Sequence, residues 1–287
     1  MQGRTRTRIR ITRRREARRP DTAAVNPTTV PYRPGLDGLR ALAVAAIVLA
    51  DSGTDVLPGG FVAIEILFVL SGFLFTSLLL VERRERGHTH LLRFWTGRAR
   101  RALPGLLTVV GGASIAVLAL RPQMLAALGA DVRAALVGMS NWQLIAVSGA
   151  ASPLSHLWSV AVGAQFVVWW PVVFAVLLSR LGLRRLRLVV VLLASASAIG
   201  MGVVSLLGDQ LRALYGTDTR ASGLLLGALV ALAFQPSAWE DRPTGARARR
   251  LRIFGLAVLA ALFAVVVAAT PQARWVPRGG LFLAAVL

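Results

Sequence analysis

Four ionisable residues set in or beside long apolar runs are the ones in this chain that could do chemistry: Arg40, Asp51, Glu65 and His156. Arg40 and Asp51 lie eleven residues apart in PGLDGLRALAVAAIVLADSGTD. On an α-helix, eleven steps bring two side chains to within about 20° of one face, about 16 Å apart along the axis. That is too far for a salt bridge, so the two charges share a face without neutralising each other. Charged groups in a membrane are costly and face a bundle interior or a wet cavity. Glu65 opens the next apolar run at a depth like that of Asp51. Two carboxyl groups meeting in a low dielectric cannot both ionise easily, so an Asp51–Glu65 pair could exchange a proton with a hydroxyl. In the plainer reading, Asp51 sits in a polar loop and does no chemistry. His156 heads a later apolar run. Its imidazole suits proton abstraction near neutral pH, and a structural histidine bonded to a neighbouring loop fits the pattern equally well.

The elements that must position these groups follow from composition. Of 287 residues 55% are hydrophobic and 16% charged, against about 25% charged in an ordinary soluble domain, and the mean hydropathy is +0.64. Several apolar runs approach the roughly 20 residues that cross a bilayer, which predicts an all-α, polytopic transmembrane helix bundle. The chain has no cysteine, so thiol catalysis, disulfides and cysteine-based metal sites are excluded. All 33 basic residues are arginine and the net charge is +20. Such a charge suits nucleic acid as well as a membrane surface, but its placement favours topology and no nucleic-acid partner is assigned.

Residues 1–33 are polar and carry nine arginines in the first nineteen positions, which reads as a disordered basic tail on anionic headgroups. The apolar pattern predicts helices over about 37–56, 59–80, 104–120, 156–179, 188–207, 221–235 and 252–270, with Pro104 in the first turn of the third. That is about seven complete spans, and the final GGLFLAAVL reads as an eighth cut short. Residues 122–150 read as an amphipathic or re-entrant piece. With a cytoplasmic N-terminus, 27 arginines fall inside and 6 outside, as positive-inside asymmetry requires. Arg98, Arg100 and Arg101 form a phosphate-sized cluster beside a predicted helix start, where backbone N–H groups favour anions; topological charge explains them almost as well. His88 and His90 are a weak metal hint and no metal is assigned. Asp218 and Arg220 flank a helix start and read as a local pair.

The segments PGLDGLRALAV, LPGGFVAIEILFVLSGFLFT, FWTGRARRALPGL, SPLSHLWSVAVGAQFVVWWP and YGTDTRASGLLLGALVA occur in that order. Together they resemble the acyltransferase 3 family, the O-antigen-acetylase-like membrane O-acyltransferases, over about residues 32–235. The resemblance implies a multi-pass cell-membrane enzyme with more helices than this chain carries. Its activity would be transfer of an acyl group, acetyl above all, from cytoplasmic acyl-CoA to a hydroxyl of an extracytoplasmic glycan or lipid-linked acceptor. Arg40 matches the family's first-helix arginine, but the histidine expected eleven residues on is Asp51, and the second-helix aspartate is Glu65. The double arginine before the third helix is Gly97-Arg98, with Arg98, Arg100 and Arg101 kept. The fourth-helix Glu-Glu pair is Gly163-Ala164, whereas His156, Trp158, Ser159, Gln165 and Phe166 match, as do Thr217 to Arg220. The resemblance thus implies acetyl-CoA at Arg40, Arg98, Arg100 and Arg101, and an acceptor near Asp51, Glu65 and His156. The altered positions also admit an inactive relative serving as a binding or scaffold partner. A solute transporter is weaker, because no inverted repeat is visible.

Overall fold

The computed structural model describes residues 34–52, 57, 59–150, 152–234, 244–269 and 275–287; the basic tail at 1–33 lies outside these. Every described element is helical. Helix α1 is Pro34–Asp51, α2 Ile64–Arg86 with a 3₁₀ turn before it at Gly60–Ala63, α3 Leu91–Leu120, α4 Leu125–Leu136 and α5 Ser140–Ala146. Then come α6 Trp158–Leu206, α7 Gln210–Tyr215, α8 Thr217–Ala233, α9 Gly245–Ala268 and α10 Leu281–Val286. Four helical stretches are long and apolar enough to cross a membrane: 60–86, 91–120, 155–206 and 245–268. Large apolar side chains such as Ile115 and Leu118 on α3 and Phe254 and Phe263 on α9 are exposed, as lipid-facing residues are. The chain is a membrane helix bundle.

Two departures from the expected spans have physical causes. Helix α3 starts at Leu91, so Pro104 sits in its interior rather than its first turn. Tertiary anchors hold the earlier turns: Phe94 is buried, and Trp95 Nε1 donates to the Val167 carbonyl at 3.0 Å. Thr108 Oγ1 donates to the Pro104 carbonyl at 2.8 Å. The fourth and fifth predicted helices join as α6, broken at Gly182, whose φ of 74° and ψ of 172° suit only a residue without Cβ. Trp158 at the start of the first arm and Ser205 near the end of the second line one cavity. The arms therefore fold back antiparallel. Residues 122–150 form the short helices α4 and α5, neither long enough to span; α4 packs on α3 through Val110, Val117, Leu128 and Ala135, and α5 on α4, α6 and α7.

Helix α8 is the centre of the bundle, buried on nearly every side between α2 and the arms of α6. Small residues allow this. A Cβ on Gly72 would stand 1.9 Å from the Leu224 carbonyl oxygen, and one on Gly227 1.9 Å from that of Val69, so the two backbones touch as in other small-residue membrane interfaces. At the far end from the cavity, Trp170, Phe174, Leu186 and Val190 close a core around Leu232, and Arg187 Nε donates to the Leu232 carbonyl at 3.0 Å.

Because the atom a new methyl would meet at Gly72 is backbone, Gly72→Ala is expected to destabilise the detergent-purified protein by the overpacking cost of about 1–3 kcal/mol. Gly112→Ala on α3, with open space around it, is expected to gain about 0.5–1 kcal/mol from helix propensity. Melting curves of the two variants followed by size-exclusion give the comparison.

Candidate active site

A cavity of about 1170 Å³ opens at the end of the bundle where α1 finishes and α6 begins. Asp51, His156, Trp158, Ser159, Tyr215 and Arg220 lie on its wall. Four separate pieces of chain therefore bring the sequence-predicted Asp51 and His156 into one space. Asp51 closes α1, and Ile47 and Ala50 from the same helix line the cavity with it. His156 sits in the 3₁₀ turn Ser155–Leu157 that leads into α6. Trp158 packs edge-on against Phe68, centroids 6.1 Å apart, and against Tyr215 at 4.9 Å. Burial pushes the Tyr215 phenol above its ordinary pKa; the Arg220 charge works against this and the Asp51 charge adds to it.

Glu65 does not pair with Asp51. Its carboxylate is buried, with Oε1 2.7 Å from Arg220 Nη1 and both side chains 2% exposed. Glu65 Oε2 and Arg220 Nε have no hydrogen-bond partner among the described residues. The Arg220 guanidinium carbon is 5.4 Å from the Phe68 ring and 5.2 Å from that of Trp158, so two aromatic faces confine it. The local Asp218–Arg220 pair expected from sequence is absent. Residues two apart on a helix point to different sides, and Asp218 instead meets Arg212 at 3.1 Å on the surface. Gly223 makes the buried pair possible, since a Cβ there would stand 2.5 Å from Glu65 Oε2.

A neutral network braces the wall from behind. Gln165 Nε2 donates to the Gly138 carbonyl at 2.7 Å and to Asn141 Oδ1 at 2.9 Å, and Thr217 Oγ1 donates to Gln165 Oε1 at 2.5 Å. Asn141 Nδ2 donates to the Tyr215 carbonyl at 3.0 Å. These bonds tie α5 and the first arm of α6 to the bend between α7 and α8, which carries Tyr215 and Arg220. At Gly163 a side chain would meet open space, while Ala164 approaches the Gly138 turn.

At the opposite end, a smaller pocket of about 210 Å³ is lined by Glu82, Arg86, Arg93, Phe94, Arg98 and Arg101. The Arg98 guanidinium lies over the rings of Phe75 at 5.2 Å and Phe94 at 5.6 Å. Arg40 and Arg101 are close enough to Arg98 to repel it, so α1 begins at this basic end. Arg40 itself pairs with Asp37 at 3.0 Å. Arg100 is exposed and not on the pocket wall. His88 and His90 stand with their Nε2 atoms 2.7 Å apart, and no group of three or more potential metal ligands occurs among the described residues.

Over 262 residues, the chain is 33% identical to the O-acetyltransferase OatA of Staphylococcus aureus strain NCTC 8325, covering 88% of this chain and 43% of the relative. The proteins of that name from strains COL and MRSA252 match with the same identity and coverage. The chain is similar to O-acetyltransferases. These relatives support an acyltransferase family for it. The chain spans under half the length of the curated relatives it matches. No family model and no solved structure matches it.

Sequence reasoning set Arg220 aside as a structural residue and did not single out Tyr215 or Asn141. The signal for Arg220 was available: an arginine followed by the apolar run ASGLLLGALVALA is a functional candidate by default. Removing one partner of the buried pair leaves an uncompensated charge, a cost of about 3–5 kcal/mol. Arg220→Gln and Glu65→Gln are each expected to lower stability by that order, and the double variant to recover most of the loss. A double-mutant cycle on melting midpoints measures it, and simple additivity would show that the two groups are not coupled.

Proposed function

We propose that the chain is the membrane part of an O-acyltransferase that moves an acetyl group from acyl-CoA to a hydroxyl of an extracytoplasmic glycan or similar acceptor. The observation that carries this reading is the convergence of Asp51, His156 and Arg220 on one cavity in a chain similar to O-acetyltransferases. Acyl transfer needs a group that takes the hydroxyl proton and donors for the oxyanion that forms. Asp51 and His156 are the proton acceptors on this wall. Glu65, engaged by Arg220, holds the wall rather than exchanging the proton.

The basic pocket suits the donor. Arg86, Arg93, Arg98 and Arg101 around one small hollow fit phosphate groups, since arginine presents a fixed fork of donors. Glu65 near one end of α2 and Glu82 near the other are seventeen residues apart, about 25 Å at helical rise. A donor held at the basic end therefore needs a long flexible arm between its phosphates and its thioester, which a pantetheine group supplies. Arginine asymmetry supports a cytoplasmic side for the basic end and for the N-terminus, which would leave the large cavity toward the outside.

Membranes carrying the chain, given radiolabelled acetyl-CoA, are expected to accumulate alkali-labile label in the envelope fraction. General-base catalysis is worth about 10²–10⁴-fold. One of Asp51→Asn and His156→Gln is expected to lose that much while the other loses less, which assigns the base. Label appearing only after Asp51→His would instead mean a degenerate site and an inactive relative. Arg98→Gln combined with Arg101→Gln is expected to raise KM for acetyl-CoA about tenfold, as loss of a charge-assisted contact does, with kcat nearly unchanged.

A further inference from the structure

We propose that Arg220 is a catalytic residue of this transfer, a donor to the acyl carbonyl oxygen as it becomes an oxyanion, with Glu65 as the positioning residue behind it. The inference rests on the acyltransferase reading and assigns within it the group that faces the reacting carbonyl. Three observations carry it. Arg220 is 2% exposed yet lies on the cavity wall, while Glu65 is not part of that wall. Its one ion pair among the described residues, Nη1 to Glu65 Oε1 at 2.7 Å, leaves both Nε and Nη1 without a hydrogen-bond partner there. The rings of Phe68 and Trp158 fix the plane of the guanidinium, and the first of these rings comes from the helix that carries Glu65. A staple between α2 and α8 alone would use up the donors of the arginine. Here part of the fork is left over, desolvated, and next to the space where Asp51 and His156 gather.

The acceptor oxygen bonds to the carbonyl carbon of the thioester, and its proton passes to the base at Asp51 or His156. The carbonyl oxygen takes the electron pair of the C=O bond and is met by the Arg220 N–H groups. As that oxyanion collapses, the carbon–sulfur bond breaks and the thiolate leaves, receiving the proton back from the base. The products are an ester and free CoA thiol. The positive charge of Arg220, neutralised in the resting state by Glu65, gains a second anionic neighbour only during reaction, when it is worth most.

The acyl carbonyl becomes an oxyanion whichever nucleophile attacks it, so hydrolysis of acetyl-CoA by water and acetyl transfer to envelope acceptors must fall together. Both rates are measured on membranes carrying the wild-type chain, Arg220→Lys, Glu65→Asp, and the neutral double variant Glu65→Gln/Arg220→Gln, which keeps the buried site uncharged. Expected are losses in kcat of about 10²–10³-fold in the double variant, the scale of a lost oxyanion donor, and of at least about tenfold in Arg220→Lys, which keeps the charge but not the fork. Glu65→Asp, which keeps both charges but withdraws the backing carboxylate, is expected to fall between wild type and the double variant. KM for acetyl-CoA is expected to stay near wild type, and hydrolysis and transfer to drop by the same factor. A folded Arg220→Lys or double variant with kcat near wild type, or one that loses transfer but keeps hydrolysis, overturns the role of Arg220 and leaves the acyltransferase reading standing. A wild-type chain that neither hydrolyses nor transfers overturns that reading and this inference with it.

Discussion

The structure depends on one buried ion pair. Glu65 and Arg220 sit 2% exposed, at the start of α2 and of α8, with their charged atoms 2.7 Å apart. Such a pair is poor evidence of stability in itself, because the cost of removing two charges from water rivals their attraction. What it does enforce is registry: each charge is tolerable only where the other is, so α2 and α8 cannot slide by a turn without exposing a carboxylate or a guanidinium to hydrocarbon. The packing below the pair agrees with that register. Gly223 clears the space the carboxylate occupies, and Gly72 and Gly227, each about two turns past its helix's charged residue, let the two backbones touch. Electrostatics and small-residue packing specify the same alignment, which is the consistency across levels expected of a well-determined fold.

From that registry the cavity follows. With α8 fixed against α2, its first turn stands beside the end of α1 and the start of α6, and the bend at Gly216 carries Tyr215 onto Trp158. The Asn141–Gln165–Thr217 bonds then prevent this corner from relaxing toward lipid. Asn141 is fully buried, and its amide holds the Tyr215 carbonyl, one of the backbone groups left over where α7 stops. The short helices between α3 and α6 are therefore more than a connection. They deliver the polar group that satisfies a helix end inside the bundle, where an unmet carbonyl is expensive.

Hydropathy made the class of the protein legible, because a chain this apolar has few other ways to satisfy its backbone. The spacing of Arg40 and Asp51 put them on one face of α1, and in the structure Ile47 and Asp51 line the cavity while Arg40 lies near Arg98 at the basic end. Less legible were features set by distant partners. Pro104 is as common at a helix start as sequence reasoning assumes, yet Phe94 and Trp95 find tertiary contacts that extend α3 past it toward its N-terminus. The pairing of Glu65 was misread for a similar reason. Depth along two adjacent helices suggested Asp51, whereas the partner came from α8, more than 150 residues later in the chain. Nothing local distinguishes an arginine that pairs with its neighbour Asp218 from one that crosses to another helix, apart from the two-residue spacing that turns them to different sides.

The two polar ends of the bundle constrain any route between them. The α2–α8 seam is shut, because backbone meets backbone at Gly72 and Gly227, so an arm reaching from the basic pocket to the cavity cannot pass there. The other face of α2 is covered by α1, whose packed residue is the small Ala43 and whose Ala46 carbonyl closes on Gly60. Along that helix, Arg40, Ile47 and Asp51 follow one another on one stripe from the basic end to the cavity. The stripe runs from a cation near one pocket through an apolar middle to a carboxylate in the other, the span that the donor proposed above would have to cover. If the donor enters at the basic end, this stripe rather than the central seam is the surface that would guide it. The side of α1 then matters more to function than its small share of the buried core suggests.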